Sequence, residues 1–564
     1  MTNMVKTAQN ELEQCLDTAL KKCMEKNIFV ECEIPTYKVE IPTDTSHGDF
    51  TSNIAFVSAK ALKSSPQNIA EQILDNICFD GTYIKSAEIA GPGFINFSVN
   101  DKWFGDVING IVTDKEDYGK SDIGKGKRVN VEFVSANPTG PMHMGNARGG
   151  ALGDGIAAAL EYTGHDVFRE FYVNDAGNQI AKFGMSLEAR YIQQLKGEDA
   201  VEFPEDGYQG ADIIDLAKMY IDKYGDKLMN VDSATRRKAL SDFAVPINVE
   251  NLKNDLLKYR IKYDLWFHES TLHESGAVDA TLEFLKKNGV TYEKDGAVWL
   301  KTDSENDDDK DNVLVRANGF PTYFAVDIAY HYNKLITRGF DKAIDIWGTD
   351  HHGHVERMKR AVAAMGCEGK LDVVLLQLVR LMQDGKVAKM SKRTGKAITL
   401  SDLLEEVPID SARFFFNMRE PSTHMDFDLD LAVKEDSDNP VYYVQYAYAR
   451  ICSIIKNLSA EGYDRRDCSA DELLLLSSPE EVALTRFLAE LPNVIIDAAT
   501  NYNPAVITRY IIDLATKYHK FYSACRVKGQ DEGLLQARLN LCYCCQLVFK
   551  NILSMLKISA LEVM

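Results

Sequence analysis

The stretch NPTGPMHMGNARGG, residues 137–150, restricts what the chain can fold into more than any other segment. It follows a short apolar run, 129–134, typical of a buried strand, and leads into an apolar segment of small residues, 151–160, typical of a helix. The junction holds two prolines and four glycines together with His143 and Asn146. Because glycine is an entropically costly choice for an ordinary turn, we expect a ligand to lie against this backbone.

Apolar runs alternate with longer helical patterns from residue 129 to about 423. This alternation predicts a parallel sheet with crossover helices, that is, an α/β domain of Rossmann-like type. Charged residues and helix formers fill 186–267, and we interpret them as a helical insertion. The four strand-like runs are VNVEFV, DVFREFYV, GFPTYFAVDIA and KAIDIWGTD.

Two further domains flank the α/β domain. Residues 1–115 mix helical and strand patterns, including a hairpin around a Gly-Pro-Gly turn that puts Phe94 and Phe97 on opposite faces, and they predict an α+β domain. From Asn439 onward the strand patterns disappear, and we expect 424–564 to form an all-α bundle. The α/β domain accordingly spans 116–423.

Composition excludes several classes of protein. Hydrophobic residues make up 45% and charged residues 26%, and no apolar run approaches a membrane span, so we expect a cytoplasmic protein without membrane contact. The formal net charge of −20 argues against a broad nucleic-acid coat but is compatible with a local basic patch. We interpret the acidic run at 303–311 as a solvated loop. The CYCC cluster at 542–545 has the spacing of core residues in a helix, so we expect no structural zinc.

The glycines at 137–150 match neither the dinucleotide fingerprint GxGxxG nor the phosphate loop GxxxxGK[ST]. The segment contains the pattern H-x-G-N instead, formed by His143, Gly145 and Asn146. In a helix, positions 143 and 146 lie one turn apart on one face, so both side chains can reach one ligand at a helix N-terminus, where phosphate binds readily. A histidine taken alone is more often a capping or core residue than a ligand contact, and the motif alone leaves both interpretations open.

A second motif, VAKMSKRTGKAITL at 387–400, is a strongly cationic loop. Combined with H-x-G-N, it resembles the HIGH and KMSKS signatures of class I aminoacyl-tRNA synthetases. The resemblance is closest to bacterial arginyl-tRNA synthetases and extends along essentially the whole chain. SHGDFTSNIA and AGPGFINF resemble the additional N-terminal domain of that family. The other matching runs are VEFVSANPTGPMHMGNARGGALGD, FYVNDAGNQ, DGAVWL, GFPTYFAVDIAYHYNK, IWGTDHHGH and NPVYYVQYAYARICSI.

This resemblance implies that ATP and L-arginine form arginyl-adenylate and pyrophosphate, and that the arginyl group then moves to the terminal adenosine of tRNA(Arg) with release of AMP. Such chemistry depends on positioning and on cations rather than on a protein nucleophile. The resemblance assigns catalysis to His143, Asn146, Lys389 and Lys392, with Mg²⁺ bridging the phosphates and no metal bound by the protein itself. The residues implied to bind ATP are His143, Gly145, Asn146, Gly348, Asp350, His352, Met390, Ser391 and Lys392.

A bound arginine must be held by its guanidinium, for which a carboxylate is the best partner. We expect Asp327 to be that partner, with Tyr323 one helical turn away on the same face. Glu132 either holds the α-amino group or orients Asn137. A metal site at His351 and His352 is an alternative, but adjacent histidines point in different directions. The residues that match the family's arginine pocket are Glu132, Ser135, Asn137, Tyr323, Asp327 and His351.

The same resemblance implies two surfaces for tRNA. Phe94 and Asn96 match a surface that touches the D-loop. An aromatic stripe at helical spacing is usually part of a core, but the resemblance favours contact with single-stranded bases in the C-terminal bundle. The residues matched to the anticodon surface are Tyr443, Tyr446, Arg450, Tyr522 and Met564. The family also implies a monomer and activation of the amino acid that commonly requires bound tRNA.

The chain departs from the family at Asn146, where a histidine is usual. Asparagine can donate a hydrogen bond to phosphate but carries no charge. Because the lysine signature is nearly intact, we hypothesise that it compensates. Two other interpretations remain: a class I synthetase for another amino acid, against which Asp327 argues, and a tRNA-binding relative without chemistry, against which His143, Gly145 and Lys392 argue.

Overall fold

The computed structural model describes residues 1–301, 312–388 and 398–564. The acidic run at 303–311 and the signature residues Lys389, Met390, Ser391 and Lys392 lie outside the described residues. Within the described part of the chain, we find no helix long and apolar enough to cross a bilayer.

The N-terminal part combines helices with one antiparallel sheet. Its elements are α1 (Met4–Glu25), β1 (Val39–Glu40), β2 (Phe50–Ser52), α2 (Ile54–Leu62), α3 (Pro66–Asn76), β3 (Ile84–Ala90), β4 (Phe94–Val99) and α4 (Asp101–Asp114). The strand order is β1-β2-β4-β3. The predicted hairpin is confirmed, since β3 and β4 pair across the Gly-Pro-Gly turn with Phe97 buried and Phe94 exposed.

The middle part contains the parallel sheet. Its elements are β5 (Arg128–Glu132), α5 (Met144–Tyr162), β6 (Asp166–Val173), α6 (Gly177–Lys196), α7 (Ala211–Tyr224), α8 (Ser233–Lys258), β7 (Leu265–His268), α9 (Ser270–Glu274), α10 (Ala277–Lys287), β8 (Thr291–Lys294), β9 (Ala297–Leu300), β10 (Val313–Val315), α11 (Tyr323–Tyr332), β11 (Lys342–Gly348), α12 (His352–Ala364), β12 (Leu371–Leu376), β13 (Val379–Gln383), β14 (Lys386–Val387), α13 (Leu400–Glu406), α14 (Ile409–Asn417), β15 (Met425–Asp428) and α15 (Leu429–Ala432).

The main sheet has the order β12-β11-β5-β6-β7, and all of its neighbours are parallel. The predicted parallel α/β fold is therefore confirmed. Helices α6, α7 and α8 lie between β6 and β7 along the chain and pack against one another. Two small sheets, β10-β9-β8 and β14-β13-β15, complete this part.

Four local features differ from the predictions. GFPTYFAVDIA was predicted as a strand, but its second half begins helix α11, whose N-cap Thr322 accepts a hydrogen bond from the backbone N–H of Ala325. A short apolar run cannot be distinguished from a buried helix by periodicity alone. The sequence interpretation overlooked strands β7 and β12 of the main sheet, of which β7 lies at the end of the predicted helical insertion. It also placed the start of α5 seven residues too late, at 151 instead of Met144.

Tertiary packing explains why a glycine-rich segment forms helix α5. Nearly every residue from Ala147 to Leu160 is buried, so the helix passes through the core. A Cβ on Gly153 would lie 2.3 Å from the Phe133 ring, which shows how closely the helix approaches the end of β5. Close packing therefore overrides the low helix propensity of glycine.

From Pro440 to the end of the chain every element is a helix, as predicted, but strand β15 at Met425–Asp428 pairs with β13 and shows that the helical bundle begins later than the predicted residue 424. The helices of the bundle are α16 (Pro440–Ala460), α17 (Ala470–Leu473), α18 (Pro479–Ala489), α19 (Leu491–Thr500), α20 (Ala505–Ala524) and α21 (Glu532–Met555). Cys542, Cys544 and Cys545 are buried in α21, in agreement with their interpretation as core residues.

Candidate active site

Two adjoining cavities lie at the carboxyl ends of β5 and β11, in the middle of the parallel sheet. This is the edge at which open α/β sheets bind ligands. The first cavity has a volume of about 220 Å³ and the second about 440 Å³. Both are lined by Val134, Ile346, Trp347 and Gly348, so ligands in the two cavities would touch each other.

The first cavity is acidic. Glu132, Asp327 and Asp345 line it, and the fully buried ammonium of Lys334 lies 2.5 Å from Glu132 Oε2 and 2.9 Å from Asp345 Oδ1. His331 Nε2 lies 2.8 Å from the other oxygen of Asp345. Two of the three carboxylates are therefore already paired with a cation, which leaves Asp327 as the most available anion.

The pKa values follow from this pairing. Burial would raise the pKa of Asp345, but Lys334 and the hydrogen bond with His331 outweigh burial and hold that pKa below its ordinary value. Burial raises the pKa of Glu132, and the attraction of Lys334 offsets only part of that effect. Asp345 is thus the stronger acid of the two carboxylates that share Lys334.

Asp327 is oriented by a chain of hydrogen bonds. Its Oδ2 lies 3.1 Å from Nε2 of His354, and Nδ1 of His354 accepts from Arg357 Nη2 at 2.7 Å. Because Nδ1 is an acceptor, the neutral ring carries its proton on Nε2 and donates it to Asp327. The side chain of Asp327 remains 41% exposed toward the cavity, so one carboxylate edge is available to a ligand.

The backbone between the two cavities turns sharply. Val134 and Ser135 have φ values of 73° and 42°, in the left-handed region that a β-branched residue such as valine strongly disfavours. The Ser135 hydroxyl donates to Glu132 Oε1 at 2.8 Å and accepts from the N–H of Tyr172 at 3.1 Å. These two bonds hold the strand end in a shape that opens both cavities.

The second cavity contains the start of helix α5. His143 is the N-cap residue, and its Nδ1 accepts from the N–H of Gly145 at 3.0 Å. Asn146 Oδ1 accepts from the N–H of His143, also at 3.0 Å. The capping interpretation of His143 is thus correct, and it does not compete with ligand binding, because Nε2 is left to act as a donor into the cavity. The surrounding protein desolvates the ring and lowers the pKa of His143.

Arg148, which the sequence interpretation overlooked, shapes the second cavity. Its buried guanidinium donates to the carbonyl oxygens of Gln377 at 2.7 Å and of Glu420 and Thr423 at 2.9 Å. Burial lowers the pKa of Arg148 to about 10, so it remains charged at neutral pH. Gln377 lines the cavity, and Arg148 therefore fixes that wall. A cation within a helix composed mainly of small and apolar residues was the available signal.

The other predicted site residues are distributed unevenly. Gly348 and Asp350 line the second cavity and His351 lines the first. Asn137 is exposed and lines a third cavity beyond His143. Among the described lining residues of the two main cavities, neither Tyr323 nor His352 appears. The Tyr323 hydroxyl instead accepts from the N–H of Asn178 at 3.4 Å. Within the described ranges, no group of three or more His, Cys, Asp or Glu side chains is placed to hold a metal ion.

Helices α16 and α20 bring four of the five predicted C-terminal residues together. Arg450 lies over the Tyr522 ring at 4.4 Å, and Tyr443 and Tyr446 lie 5.3 Å and 6.1 Å from the ring of His519, which the sequence interpretation overlooked. We call Tyr443, Tyr446, His519 and Tyr522 the aromatic stripe. The fifth residue, Met564, is exposed at the end of a tail that is fixed to α16 by the hydrogen bond from Gln445 Nε2 to the Ser559 carbonyl, at 2.9 Å.

The two predicted N-terminal residues differ in exposure. Phe94 is 42% exposed and packs against Phe56 with ring centroids 4.7 Å apart. Asn96 is only 4% exposed, because it lies in the central strand β4 between Thr51 of β2 and Glu88 of β3. Phe94 is therefore placed to meet a partner, whereas the side chain of Asn96 is almost fully covered.

Each of the three parts of the chain matches a described family. Residues 107–435 match "tRNA synthetases class I (R), catalytic domain", which is more than half of the chain. Residues 10–99 match "Arginyl tRNA synthetase N terminal domain", and residues 444–564 match "DALR anticodon binding domain".

The chain is 52% identical to a protein of Acetivibrio thermocellus named arginine–tRNA ligase, over 565 residues and 100% of both chains. It is similar to the crystal structure of a putative arginyl-tRNA synthetase from Campylobacter jejuni, with 34% identity, a TM-score of 0.72, and coverage of 83% of this chain and 100% of that chain. The Thermus thermophilus arginyl-tRNA synthetase has the same fold, with a TM-score of 0.76, 22% identity, and coverage of 99% of this chain and 100% of that one.

Proposed function

We propose that this chain, which belongs to the class I arginyl-tRNA synthetase family, is an arginine–tRNA ligase. Its two adjoining cavities would hold L-arginine and ATP. Arginine and ATP form arginyl-adenylate and pyrophosphate, and the arginyl group then passes to tRNA(Arg) with release of AMP. The observation that carries this assignment is the acidic first cavity, with Asp327 available in it, directly beside the strand-helix junction of the second.

The first cavity would bind arginine. The Asp327 carboxylate, oriented by His354, would accept the guanidinium N–H groups, since a guanidinium and a carboxylate match in bidentate geometry. Glu132 is held by Ser135 and Lys334, which suits a charge that anchors the α-amino group. His351 lies at the rim of this cavity. We retain Asn137 and Tyr323 as residues that would contact arginine from outside the cavity.

The second cavity would bind ATP. Nucleotide phosphates at the N-terminus of α5 would face the helix dipole and the donor Nε2 of His143, with Asn146 one turn along. Gly145 gives the ring of adenine or ribose room to approach the backbone, and Gly348 and Asp350 form the opposite wall. His352, Met390 and Ser391 complete the proposed set.

Catalysis would come from positioning and from charge. The arginine carboxylate attacks the α-phosphate while the pyrophosphate leaves, and negative charge that develops on the phosphates needs fixed donors and cations. Because His143 is neutral, we assign it a hydrogen-bonding role and assign the cationic role to Lys389 and Lys392. Mg²⁺ would enter with ATP and neutralise its phosphates. Asp350 is the one carboxylate among the described residues of that cavity, and one carboxylate plus phosphates suits this ion.

The tRNA would be held by two domains outside the catalytic domain, which we place at 116–423 with its helical insertion at about 186–267. The N-terminal domain, 1–115, would present Phe94 to the D-loop, with Asn96 beneath it. The C-terminal domain, 424–564, would hold the anticodon on the aromatic stripe, Arg450 and Met564. We propose that the enzyme acts in the cytoplasm as a monomer, as its family resemblance implies.

Arginine-dependent exchange between ATP and pyrophosphate, measured with and without tRNA(Arg), tests the assignment. We expect exchange with arginine plus tRNA and little with other amino acids. Exchange that depends on a different amino acid would show that the enzyme is specific for that amino acid and not for arginine. Binding of tRNA without any exchange would show that the protein binds tRNA but does not activate an amino acid. Lys392→Ala serves as the test of the catalytic roles, since full activity in that variant would contradict them.

A further inference from the structure

One ion pair crosses from the N-terminal sheet to the C-terminal helices. Arg486 of α18 donates from Nε to Asp49 Oδ1 at 2.6 Å, and its Nη2 lies 2.5 Å from the same oxygen. The two residues are 437 positions apart in the chain. The side chain of Asp49 is 8% exposed and that of Arg486 is 25% exposed, so the surrounding protein shields the pair from solvent and makes it stronger than a fully exposed pair.

Asp49 is locked into the sheet that carries Phe94. Its backbone N–H donates to the Phe97 carbonyl oxygen at 2.7 Å, and its Oδ2 accepts from the N–H of Val99 at 2.8 Å. The preceding residue, Gly48, has a φ of 86°, and a Cβ there would lie 2.6 Å from the Phe97 carbonyl oxygen. A displacement of the Asp49 carboxylate would therefore displace β4, the strand that begins at Phe94.

Arg486 is fixed to the helix that carries half of the aromatic stripe. The next residue in α18, Phe487, stacks on Tyr510 of α20 with ring centroids 4.5 Å apart, and the Tyr510 hydroxyl donates to the Phe487 carbonyl oxygen at 3.0 Å. Helix α20 also carries His519 and Tyr522. A path of specific contacts thus runs from β4 through the ion pair, α18 and α20 to the aromatic stripe.

Further contacts between the same two parts of the chain come from α1 and α4. The side-chain amide of Asn3, the N-cap of α1, donates to Asn493 Oδ1 at 2.8 Å. In α4, the Ile108 carbonyl oxygen lies 3.7 Å from Cys544 Sγ. Because these contacts do not depend on the ion pair, we expect its loss to leave the two parts joined, with the sheet less firmly oriented against α18.

We propose that Asp49 and Arg486 are positioning residues, which fix the sheet carrying Phe94 at one distance and orientation from the aromatic stripe so that a single tRNA engages both surfaces at once. Two linked surfaces gain affinity for one ligand only when their geometry permits simultaneous contact. A fixed arrangement also leaves less conformational freedom to be lost on binding. This inference rests on the proposed tRNA contacts of the N-terminal and C-terminal domains.

The test uses the full-length protein, with tRNA(Arg) and a fluorescent hairpin that has the sequence of its anticodon stem and loop. We expect Arg486→Gln to weaken tRNA binding about tenfold and to raise KM for tRNA equally in aminoacylation, because simultaneous contact becomes less frequent. The value of kcat at saturating tRNA and the affinity for the hairpin should not change, since the hairpin reaches only the C-terminal surface. Wild-type KM for tRNA in Arg486→Gln would overturn the proposal.

Three further variants separate positioning from damage to the fold. Asp49→Asn keeps an acceptor oxygen for the N–H of Val99 and should reproduce the effect of Arg486→Gln from the other side of the pair. Arg486→Lys keeps the charge and should restore most of the affinity for tRNA. Arg466→Gln is the matched control, because it breaks an arginine–carboxylate pair with Glu472 that lies wholly within the C-terminal domain, and it should bind tRNA like the wild type.

Phe94→Ala shows whether the pair acts through the D-loop surface. It should weaken tRNA binding in the wild type and cause little further loss in Arg486→Gln, because both changes remove the same engagement. Additive losses, or a loss of hairpin binding in Arg486→Gln, would overturn the positioning role and leave the proposed function intact. If Phe94→Ala had no effect in the wild type, the D-loop role of the N-terminal domain would fail and the positioning role with it.

Discussion

At the scale of single residues, the availability of Asp327 decides the specificity of the first cavity. Asp345 and Glu132 already share the ammonium of Lys334, so an incoming guanidinium would meet in Asp327 one carboxylate that lacks a strong cationic partner among the described residues. The hydrogen bond from His354 orients this carboxylate.

Asp327→Asn should raise KM for arginine roughly 10- to 100-fold, because a charge-assisted hydrogen bond becomes a neutral one of the same shape. KM for ATP should change little, since the second cavity does not contain this residue. Steady-state aminoacylation at varied arginine measures both constants. Glu356→Gln, at an exposed carboxylate of α12, is the matched control. An equal effect on both KM values would contradict the separation of the two cavities.

Gly145 also acts at the residue scale, through its neighbour. A Cβ at this position would lie 2.9 Å from Cε1 of the His143 ring, so any larger residue displaces that ring. We expect Gly145→Ala to lower the rate of adenylate formation roughly 100-fold, as for an ångström-scale displacement of a catalytic group, with little change in melting temperature.

The control for that change is Gly105→Ala in helix α4, where a Cβ would meet Leu473 at an ordinary 3.5 Å. It should leave adenylate formation unchanged. Unaltered adenylate formation in Gly145→Ala would show that the observed position of the His143 ring is not needed for the reaction.

At the scale of elements, helix α5 connects the core to the second cavity. Its N-terminus is closed by reciprocal bonds between His143, Gly145 and Asn146, and its body is buried. Asn146, where the family usually has histidine, therefore has a structural task that the sequence did not reveal. Its amide oxygen satisfies a backbone N–H that would otherwise lack a helical partner.

Asn146→Ala should lower the free energy of unfolding by about 1 kcal/mol, the usual effect of losing a cap, and should lower the rate of adenylate formation because His143 loses its support. Chemical denaturation and pyrophosphate exchange measure the two effects.

Asn146→His, compared in the wild-type and Lys392→Ala backgrounds, tests whether the lysine signature compensates for asparagine. If the lysine signature compensates for Asn146, Asn146→His should partly restore the rate of adenylate formation in the Lys392→Ala variant.

Much of the element list could be predicted from the sequence, because strands and helices carry local patterns. The hairpin at Phe94, the strand run at 166–173 and the helical C-terminal third are of this kind. The strand prediction for GFPTYFAVDIA and the late start of α5 were wrong, since burial on several sides removes the periodicity on which such predictions depend. Of the site, the sequence indicated Glu132, Asp327 and His143 but not their partners.

At the scale of the whole molecule, one buried carboxylate joins the catalytic helix to the C-terminal domain. Asp154 of α5 is 1% exposed and lies 2.5 Å from Arg413 Nη2, 3.1 Å from Arg169 Nε and 2.8 Å from Lys557 Nζ, which follows α21. Burial would raise the pKa of Asp154, but these three cations outweigh burial and lower it.

Asp154→Asn should lower the free energy of unfolding at pH 7 by about 3–5 kcal/mol, because it leaves buried cations unpaired. A carboxyl with a lowered pKa stabilises the fold above the ordinary carboxyl pKa of about 4, and that stabilisation is lost as pH falls toward the folded-state pKa. The difference between wild type and variant should therefore shrink below about pH 4. Denaturant midpoints between pH 3 and pH 8 measure it.

The exposed pair of Asp242 and Lys238 provides the control, since Asp242→Asn should leave the midpoint unchanged at every pH. An equal loss for Asp154→Asn at pH 3 and pH 7 would mean that the altered hydrogen bonding, and not the charge, causes the effect.

The sequence by itself determined which family this protein resembles. The strand-helix junction at 137–150 and the cationic loop at 387–400 resemble the two signatures of class I synthetases, and such motifs can be recognised because side-chain type and short spacing are local properties. Only the tertiary structure decided which charges are available. Lys334 pairs with both Glu132 and Asp345, His354 orients Asp327, and Asp154 ties α5 to a residue beyond α21. Those pairings join residues that are distant in the chain, and burial sets their strength, so no local pattern contains them.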